Sequence, residues 1–136
     1  MFRNVFLVCL VLSLLVAVGC GGGEGSKIKV KLVDKDKAVK VDPMKGQILI
    51  ELIPTGKGDK KYQVLSEDGE TFATDKPVPP GEYYVVLDIV DDYLNAGKKD
   101  RYGGAFKAGV TPIRVTIESG KRDITIDLDE WKGKKR

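Results

Sequence analysis

Three segments of this chain alternate apolar and polar residues with a period of two, and this pattern constrains the fold more than any other feature. Lysines alternate with Ile, Val and Leu over residues 27–32, and similar alternation recurs over residues 113–118 and 123–128. Successive side chains of a strand point to opposite faces, so each segment is predicted to be a strand with one buried face. Residues 119–121, Ser-Gly-Lys, predict a hairpin turn between the last two strands.

Other segments indicate more deeply buried strands. Residues 47–53 and 82–90 carry apolar residues on both faces. Shorter strands are predicted over residues 61–66, 71–74 and, as a further candidate, 38–41. No stretch shows helical spacing over three turns. Seven to eight short strands in about 100 residues predict an all-β fold, an antiparallel, Ig-like β-sandwich that occupies residues 27–131.

Two segments also resemble a known family. PVPPGEYYVVLDI, residues 77–89, resembles the P-P-G-x-Y-x-V segment of carboxypeptidase regulatory-like domains, and SEDGETFAT, residues 66–74, is similar to the D-x-x-G-x-F stretch that precedes it there. The resemblance spans residues 27–128 and implies a transthyretin-like β-sandwich. Such domains are usually non-enzymatic modules for binding, folding support or surface display. The chain departs from the family at residues 34–37, Asp-Lys-Asp-Lys, where the family has glycine and proline.

The N-terminal segment predicts export. Residues 5–18 form an apolar run that is too short for a bilayer span, which needs about 20 apolar residues, but suits the core of a signal peptide. Residues 17–20, Ala-Val-Gly-Cys, resemble the lipobox of bacterial lipoproteins, although Ala17 stands where leucine is usual. This resemblance implies that residues 1–19 are a signal peptide and that Cys20 is lipidated. A secretory signal with an incidental cysteine and an uncleaved membrane anchor are the alternatives.

The lipobox also implies a location. Residues 20–26, rich in glycine, predict a flexible tether between the lipid on Cys20 and the domain. Gly21 is not the aspartate that favours retention at the inner membrane. We therefore expect a lipid-anchored protein of the cell envelope, in the outer membrane if the host has two membranes, with the membrane as its first partner.

The balance of charges argues against a nucleic-acid partner. The whole chain has 23 Lys and Arg residues and 20 Asp and Glu residues, and removal of residues 1–19 takes away only Arg3. The remaining charges alternate along the chain and form no basic surface for nucleic acid. The exception is the basic tail, residues 132–136, which is either a solvated end or a contact for anionic lipid or peptidoglycan.

Residue types that carry catalysis are scarce. The chain has no histidine, which removes the commonest general base and the commonest zinc ligand. Cys9 leaves with the signal peptide, Cys20 is lipidated, and no serine of the mature chain stands in a G-x-S-x-G setting. We expect a non-enzymatic binding or structural module that needs no cofactor. A small envelope enzyme that works with two carboxylates is the alternative.

Residues 91–112 form a connection much longer than the usual length of about 4 to 6 residues. Asp91, Asp92, Asn95 and Asp100 supply hard oxygen ligands of the kind that calcium prefers, although their spacing does not fit the EF-hand template. A calcium-stabilised adhesion module is therefore a further alternative.

The same connection carries aromatic and basic residues that suit recognition of a protein or a glycan, because aromatic rings provide contact area at low entropic cost. The candidate partner-binding residues are Tyr93, Lys98, Lys99, Arg101, Tyr102 and Phe106. The remaining interpretation is an ordered loop that seals one end of the fold.

Overall fold

A computed structural model of the protein describes residues 25–56, 58–66, 68–94 and 99–136. These residues form an all-β fold with no α-helix among them. The elements are β1 Lys29–Asp34, β2 Lys37–Ala38, β3 Gln47–Pro54, β4 Tyr62–Leu65, β5 Phe72–Thr74, β6 Gly81–Val90, β7 Arg114–Ile117, β8 Asp123–Asp127 and a 3₁₀ turn, Leu128–Glu130. Within the described ranges, no helix combines the length and the apolar composition of a membrane span.

Several predictions made from the N-terminal segment and the long connection fall on residues that the structure does not describe. The signal peptide at residues 1–19, the lipidated Cys20 and most of the tether lie outside the described residues, and so do Asn95 and Lys98.

The eight strands form one curled sheet, a half-barrel, in the order β2-β1-β5-β4-β3-β6-β7, with β8 paired to β1. All of these pairings are antiparallel except that of β1 with β8. The longest ladder joins β3 to β6, from Gln47 opposite Val90 to Pro54 opposite Tyr83. The all-β class and the number of strands predicted from the alternation are therefore confirmed.

The predicted hairpin between the last two strands is wrong. The turn itself forms, because the Lys121 N–H donates to the Glu118 carbonyl at 3.1 Å and Gly120 adopts a φ of 79°. The strands beside it then separate: β7 pairs with β6, and β8 pairs with β1. Each strand thus buries its apolar face against the common core from its own side of the curled sheet. The residues of the turn do not determine this pairing.

The alternating residues face the core as their period predicts. Ile28, Val30 and Leu32 are each at most 3% exposed, and Ile126 is 2% exposed. The longest strand, β6, buries residues on both faces, which agrees with its nearly continuous apolar sequence. Of the further strand candidate at residues 38–41, only Ala38 belongs to a strand, although the two valines that follow are buried.

The molecule has two distinct ends. At the amino-terminal end, Ser26 pairs with Val78, and Gly25 packs so closely that a Cβ there would lie 2.1 Å from the Val78 carbonyl carbon. Gly25 and Ser26, which precede the predicted start of the domain at residue 27, therefore pack against it. From this end β1 runs for six residues, about 20 Å, to Asp34, whose carboxylate bonds to Tyr102 of the long connection. We call the opposite end, formed by residues 41–46 and 91–94, the loop end.

Candidate binding surface

The second half of the long connection, residues 99–112, covers an edge of the sheet. Strand β7 pairs only with the first four residues of β6, Gly81 to Tyr84. Beyond them, the N–H groups of Val85, Leu87 and Ile89 would lack a ladder partner, and an uncovered edge invites unwanted pairing with another chain. They donate instead to the Ile113 carbonyl at 3.0 Å, the Phe106 carbonyl at 2.9 Å and the Asp100 carboxylate at 2.9 Å.

Asp100 takes the place of a strand partner. Its side chain is buried; Oδ1 accepts the Ile89 N–H, and Oδ2 accepts the Gly104 N–H at 2.6 Å. The N–H of the next residue, Arg101, donates back to the Ile89 carbonyl at 2.7 Å. A buried carboxylate is costly unless it accepts such bonds. Both oxygens of Asp100 therefore have a structural role in this arrangement.

The rings of Tyr102 and Phe106 fasten the same half to the sheet. Phe106 is 2% exposed and belongs to the core, with its ring centroid 5.3 Å from that of Tyr102. The Tyr102 hydroxyl donates to Asp34 Oδ2 at 2.8 Å, and Lys132 Nζ lies 2.6 Å from Asp34 Oδ1. Burial, with a smaller contribution from Asp34, raises the pKa of Tyr102 to about 12, and the Lys132 ammonium lowers the pKa of Asp34.

An ion pair joins the two halves of the connection. Arg101 pairs with both carboxylate oxygens of Asp91, with Nε at 2.9 Å from Oδ2. Its Nη2 also donates to the Lys40 carbonyl at 2.9 Å, which binds the connection to the segment after β2. The hydrogen bond from Arg101 lowers the pKa of Asp91.

The first half of the connection, residues 91–94, has a different environment. Tyr93 is held by its N–H, which donates to the Lys45 carbonyl at 2.9 Å, and by its hydroxyl, which donates to Gln47 Oε1 at 2.6 Å. Tyr93 is nevertheless 39% exposed, and the neighbouring Leu94 is 85% exposed. Exposed apolar groups side by side at a loop are a feature of interaction surfaces.

These two residues line an apolar groove at the loop end. The groove is an open concavity of about 500 Å³. Its exposed apolar residues are Met44, Leu65, Tyr93 and Leu94, and its floor includes Val41, Ile48, Val64 and Phe72. Among the described residues, Val110 is the only other exposed large apolar side chain. The exposed apolar surface is thus concentrated at one place.

Local chemistry of the 42–46 turn presents Met44 to solvent. The Asp42 carboxylate accepts the Met44 N–H at 2.9 Å, and the Asp42 carbonyl accepts the N–H groups of Lys45 and Gly46. Gly46 then passes so close to β6 that a Cβ would lie 2.4 Å from the Val90 carbonyl oxygen. The turn is therefore fixed by its polar groups and by Gly46, and Met44, 88% exposed, contributes little packing.

The structure separates the residues that sequence reasoning grouped as candidate partner-binding residues. Tyr93 lies in the apolar groove. Lys99 is exposed, whereas Arg101 is paired with Asp91 and Tyr102 and Phe106 hold the loop to the sheet. Lys98 lies outside the described residues.

The proposed calcium ligands are also divided. Asp91 bonds to Arg101, Asp100 accepts two backbone N–H groups, and Asp92 Oδ1 accepts the Leu94 N–H at 2.9 Å. Within the described part of the chain, no three His, Cys, Asp or Glu side chains are arranged to hold a metal ion. The calcium site stays a prediction, because Asn95 is not described.

Sequence reasoning missed Met44 and Leu65. Met44 stands between Pro43 and Lys45 in a turn, and Leu65 follows the buried Val64 at the end of a short strand. Only the fold brings residues 44, 65 and 94 together, so no local pattern marks them as one surface.

In comparisons with known proteins, no family model, no curated protein and no solved structure matches this chain.

Proposed function

We propose that this protein is a lipid-anchored lipoprotein of the cell envelope that acts as a non-enzymatic binding module and takes a protein partner in the apolar groove. The observation that carries the proposal is the clustering of Met44, Leu65, Tyr93 and Leu94 around one concavity. A soluble domain rarely exposes large apolar side chains together without a binding role.

The lipobox-like sequence and the position of Gly25 support the anchor. Cys20 precedes the folded unit by only a few residues, and the segment from Cys20 to Glu24 can extend over at most about 17 Å. Because the chain enters the fold at the amino-terminal end, such a tether would keep that end near the lipid. The groove would then be displayed on the side away from the membrane.

The sheet topology supports the finer fold assignment. We propose a transthyretin-like sandwich, in which β7-β6-β3-β4 and β5-β1-β8 face each other across one core. The resemblance of residues 66–74 and 77–89 to carboxypeptidase regulatory-like domains supports the same assignment.

Binding rather than catalysis is supported by the groups available at the loop end. The chain has no histidine, and the carboxylates of Asp42, Asp91 and Asp92 at that end all bond to groups within the protein. The groove itself is lined mainly by apolar side chains and backbone, which suit contact with a partner better than proton transfer.

Metabolic labelling with palmitate tests the anchor. Cys20→Ala should abolish labelling and leave the protein unprocessed or free of the membrane. Cys9→Ala, in the predicted signal peptide, is the matched control and should still yield labelled mature protein. Normal maturation and membrane association of the Cys20→Ala protein would disprove lipidation.

Site-specific photo-crosslinking in the producing cells tests the groove. A photoreactive phenylalanine analogue in place of Leu94 should give a discrete crosslinked protein band. The same analogue in place of Val110, which is 54% exposed but lies outside the groove, is the control and should give none. Equal crosslinking at the two positions would mean that the groove is not a binding site.

A further inference from the structure

We infer that the partner occupies the groove as an extended peptide segment, which pairs with the open edge of β3 at Ile48 and so adds a short strand to the sheet. This inference rests on the proposed binding function and names the form in which the partner binds. It follows from two observations, an unpaired stretch of β3 inside the groove and apolar residues on both faces of the sheet beside it.

Strand β3 extends farther into the groove than β4 does. The pairing of β3 with β4 covers only Ile50 to Leu52, whereas the pairing of β3 with β6 continues to Gln47. The groove lies where the ladder with β4 stops, lined by residues 46–49 on one side and by residues 65, 66 and 69 on the other. Residues 47–49 therefore have a neighbouring strand on one side only.

The open edge presents the main-chain groups of Ile48. In an antiparallel sheet, the N–H and C=O groups of alternate residues point to opposite neighbours. The Thr55 N–H donates to the Glu82 carbonyl, so the odd-numbered residues of β3 point to β6 and the even-numbered ones, which include Ile48, point to the side of β4. The ladder would continue there at Ser66, but among the described residues neither main-chain group of Ile48 has a partner on that side.

An unpaired N–H and C=O beside apolar side chains favour a ligand that supplies main-chain hydrogen bonds. Such groups lose free energy when they are removed from water without a partner. A segment that pairs with Ile48 satisfies both groups at once, as a further strand would.

A fixed turn after β4 holds the edge open. The Gly69 N–H donates to the Ser66 hydroxyl at 2.9 Å. Gly69 packs on the segment after β2, where a Cβ would lie 2.7 Å from the Val41 carbonyl oxygen. These contacts direct the chain away from β3 and leave the concavity of about 500 Å³ beside Ile48, a volume within the range of about 300 to 1,000 Å³ that ligand pockets span.

The lining determines which side chains the segment carries. Successive residues of an added strand point to opposite faces of the sheet. The residue opposite Ile48 would point to the floor of the groove, towards Val41 and Phe72. Its two neighbours would lie on the other face, beside Leu65 and Tyr93. The groove therefore suits three consecutive apolar residues in extended conformation.

The open edge distinguishes this occupant from two others that suit an apolar groove. An acyl chain has no hydrogen-bonding groups along its length, and a helix uses its N–H and C=O groups internally. Either would leave the main-chain groups of Ile48 unpaired. An extended segment offers both groups at the spacing of a strand, which is the basis of recognition by strand addition.

Fluorescence anisotropy with designed peptides tests the inference. The protein is the full chain in nanodiscs of phosphatidylcholine, with empty nanodiscs as a blank. The parent peptide has a Leu-Val-Leu core flanked by Ser and Thr, and two further peptides each replace one amide N–H of the core by an ester oxygen, at adjacent residues. Because adjacent N–H groups point to opposite sides of a strand, one ester should weaken binding about fivefold and the other at most about twofold.

Hydrogen exchange of the isoleucine amides observes the edge itself. In the free protein, the Ile48 amide should exchange roughly a hundredfold faster than the amide of Ile50, which is paired with Val64. The parent peptide at saturation should slow the exchange of Ile48 and leave that of Ile50 unchanged. The measurement uses nuclear magnetic resonance of the full chain with isotopically labelled isoleucine.

Variants place the peptide in the groove. Met44→Ser with Leu94→Ser should weaken binding of the parent peptide about tenfold, whereas Val110→Ser, the control, should leave it unchanged. If Val110→Ser weakens binding as much as the double variant does, the peptide binds elsewhere and the inference fails.

The remaining outcomes distinguish the inference from the function on which it rests. If both esters bind as tightly as the parent peptide, side chains alone hold the occupant, and the inference is overturned while the binding function stands. Slow exchange of Ile48 in the free protein, or failure of the parent peptide to bind, would also overturn it. If position 94 in addition gives no crosslink in cells, the binding function itself fails.

Discussion

The two described parts of the 91–112 connection both carry aromatic and charged residues but have opposite roles. Residues 99–112 place Asp100, Phe106 and Thr111 in buried positions and supply partners for the edge of β6. Residues 91–94 instead leave Tyr93 and Leu94 exposed beside the groove. The difference shows that aromatic and charged residues in a long loop are no sign of recognition where a strand edge requires them.

The need to cover the edge of β6 accounts for much of the length of the connection. Strand β7 is too short to cover β6, which has ten residues. Carbonyl groups and one carboxylate bond to the uncovered part of β6 instead. A series of turns through Gly103, Gly104 and Gly109, each with a positive φ, places these groups. Of the described residues of the connection, those near Leu94 are then left for the proposed binding role.

The largest test of the comparison is Phe106→Ala. The ring is 2% exposed and packs in the core, so its removal should lower the free energy of unfolding by about 3 to 5 kcal/mol. Leu94→Ala, in the exposed half, is the control and should change it by no more than about 0.5 kcal/mol. Chemical denaturation measures both, and similar losses would contradict the division into two halves.

Asp100→Ala should have the next largest effect. It leaves the N–H groups of Ile89 and Gly104 without their acceptor, at a cost of about 2 to 4 kcal/mol in unfolding free energy. Asp100→Asn keeps one acceptor oxygen and should lose less. Thermal unfolding with and without a calcium chelator tests the alternative, a calcium site. A melting temperature that falls when chelator is added to the native protein, but not when it is added to Asp100→Ala, would favour that site.

Tyr102→Phe tests the packed half of the connection through its dependence on pH. Loss of the hydroxyl that bonds Asp34 should cost about 1 kcal/mol at neutral pH. The pKa of Tyr102 is raised to about 12, so its stabilising contribution is complete below the ordinary tyrosine pKa of about 10 and is lost as pH rises towards 12. The deficit of Tyr102→Phe relative to the native protein should therefore shrink over that interval. A constant deficit would mean that the hydroxyl stays exposed to solvent.

The two halves also differ in how far the sequence predicts them. Period-two alternation is a local property, so strands such as β1 and β8 and their buried faces could be predicted. Partners of β7 and β8 could not, because pairing depends on how the whole sheet curls. In the same way, Phe106 and Tyr93 look alike in sequence, and only the position of β6 decides which one is buried.

The groove could not be predicted from the sequence, for a related reason. Its exposed residues come from separate segments, at positions 44, 65 and 93–94. Tyr93 alone carried a recognisable signal, an aromatic residue in a long polar loop. Met44 and Leu65 can be recognised as groove residues only from their neighbours in space.

A smaller effect is expected where the two halves meet. Asp91 and Arg101 form a partly exposed ion pair, and a double-mutant cycle with Asp91→Asn and Arg101→Met should give a coupling of about 0.5 kcal/mol. Because the pKa of Asp91 is lowered, this contribution is present above the ordinary carboxyl pKa and is lost as pH falls through the lowered value. A coupling that does not change with acid would exclude Asp91 as the titrating group.

The smallest effect on stability should accompany the largest effect on binding. Met44 and Leu94 are 88% and 85% exposed, so replacing both with serine removes few contacts within the protein and should leave the melting temperature within about 2 °C. The same double variant should lose binding of an apolar fluorescent dye, since it removes much of the rim of the groove. Val110→Ser, also exposed but outside the groove, should keep both properties. If the double variant were destabilised as strongly as Phe106→Ala, the exposed half would be packing the fold after all, and the reason to assign it a partner would disappear.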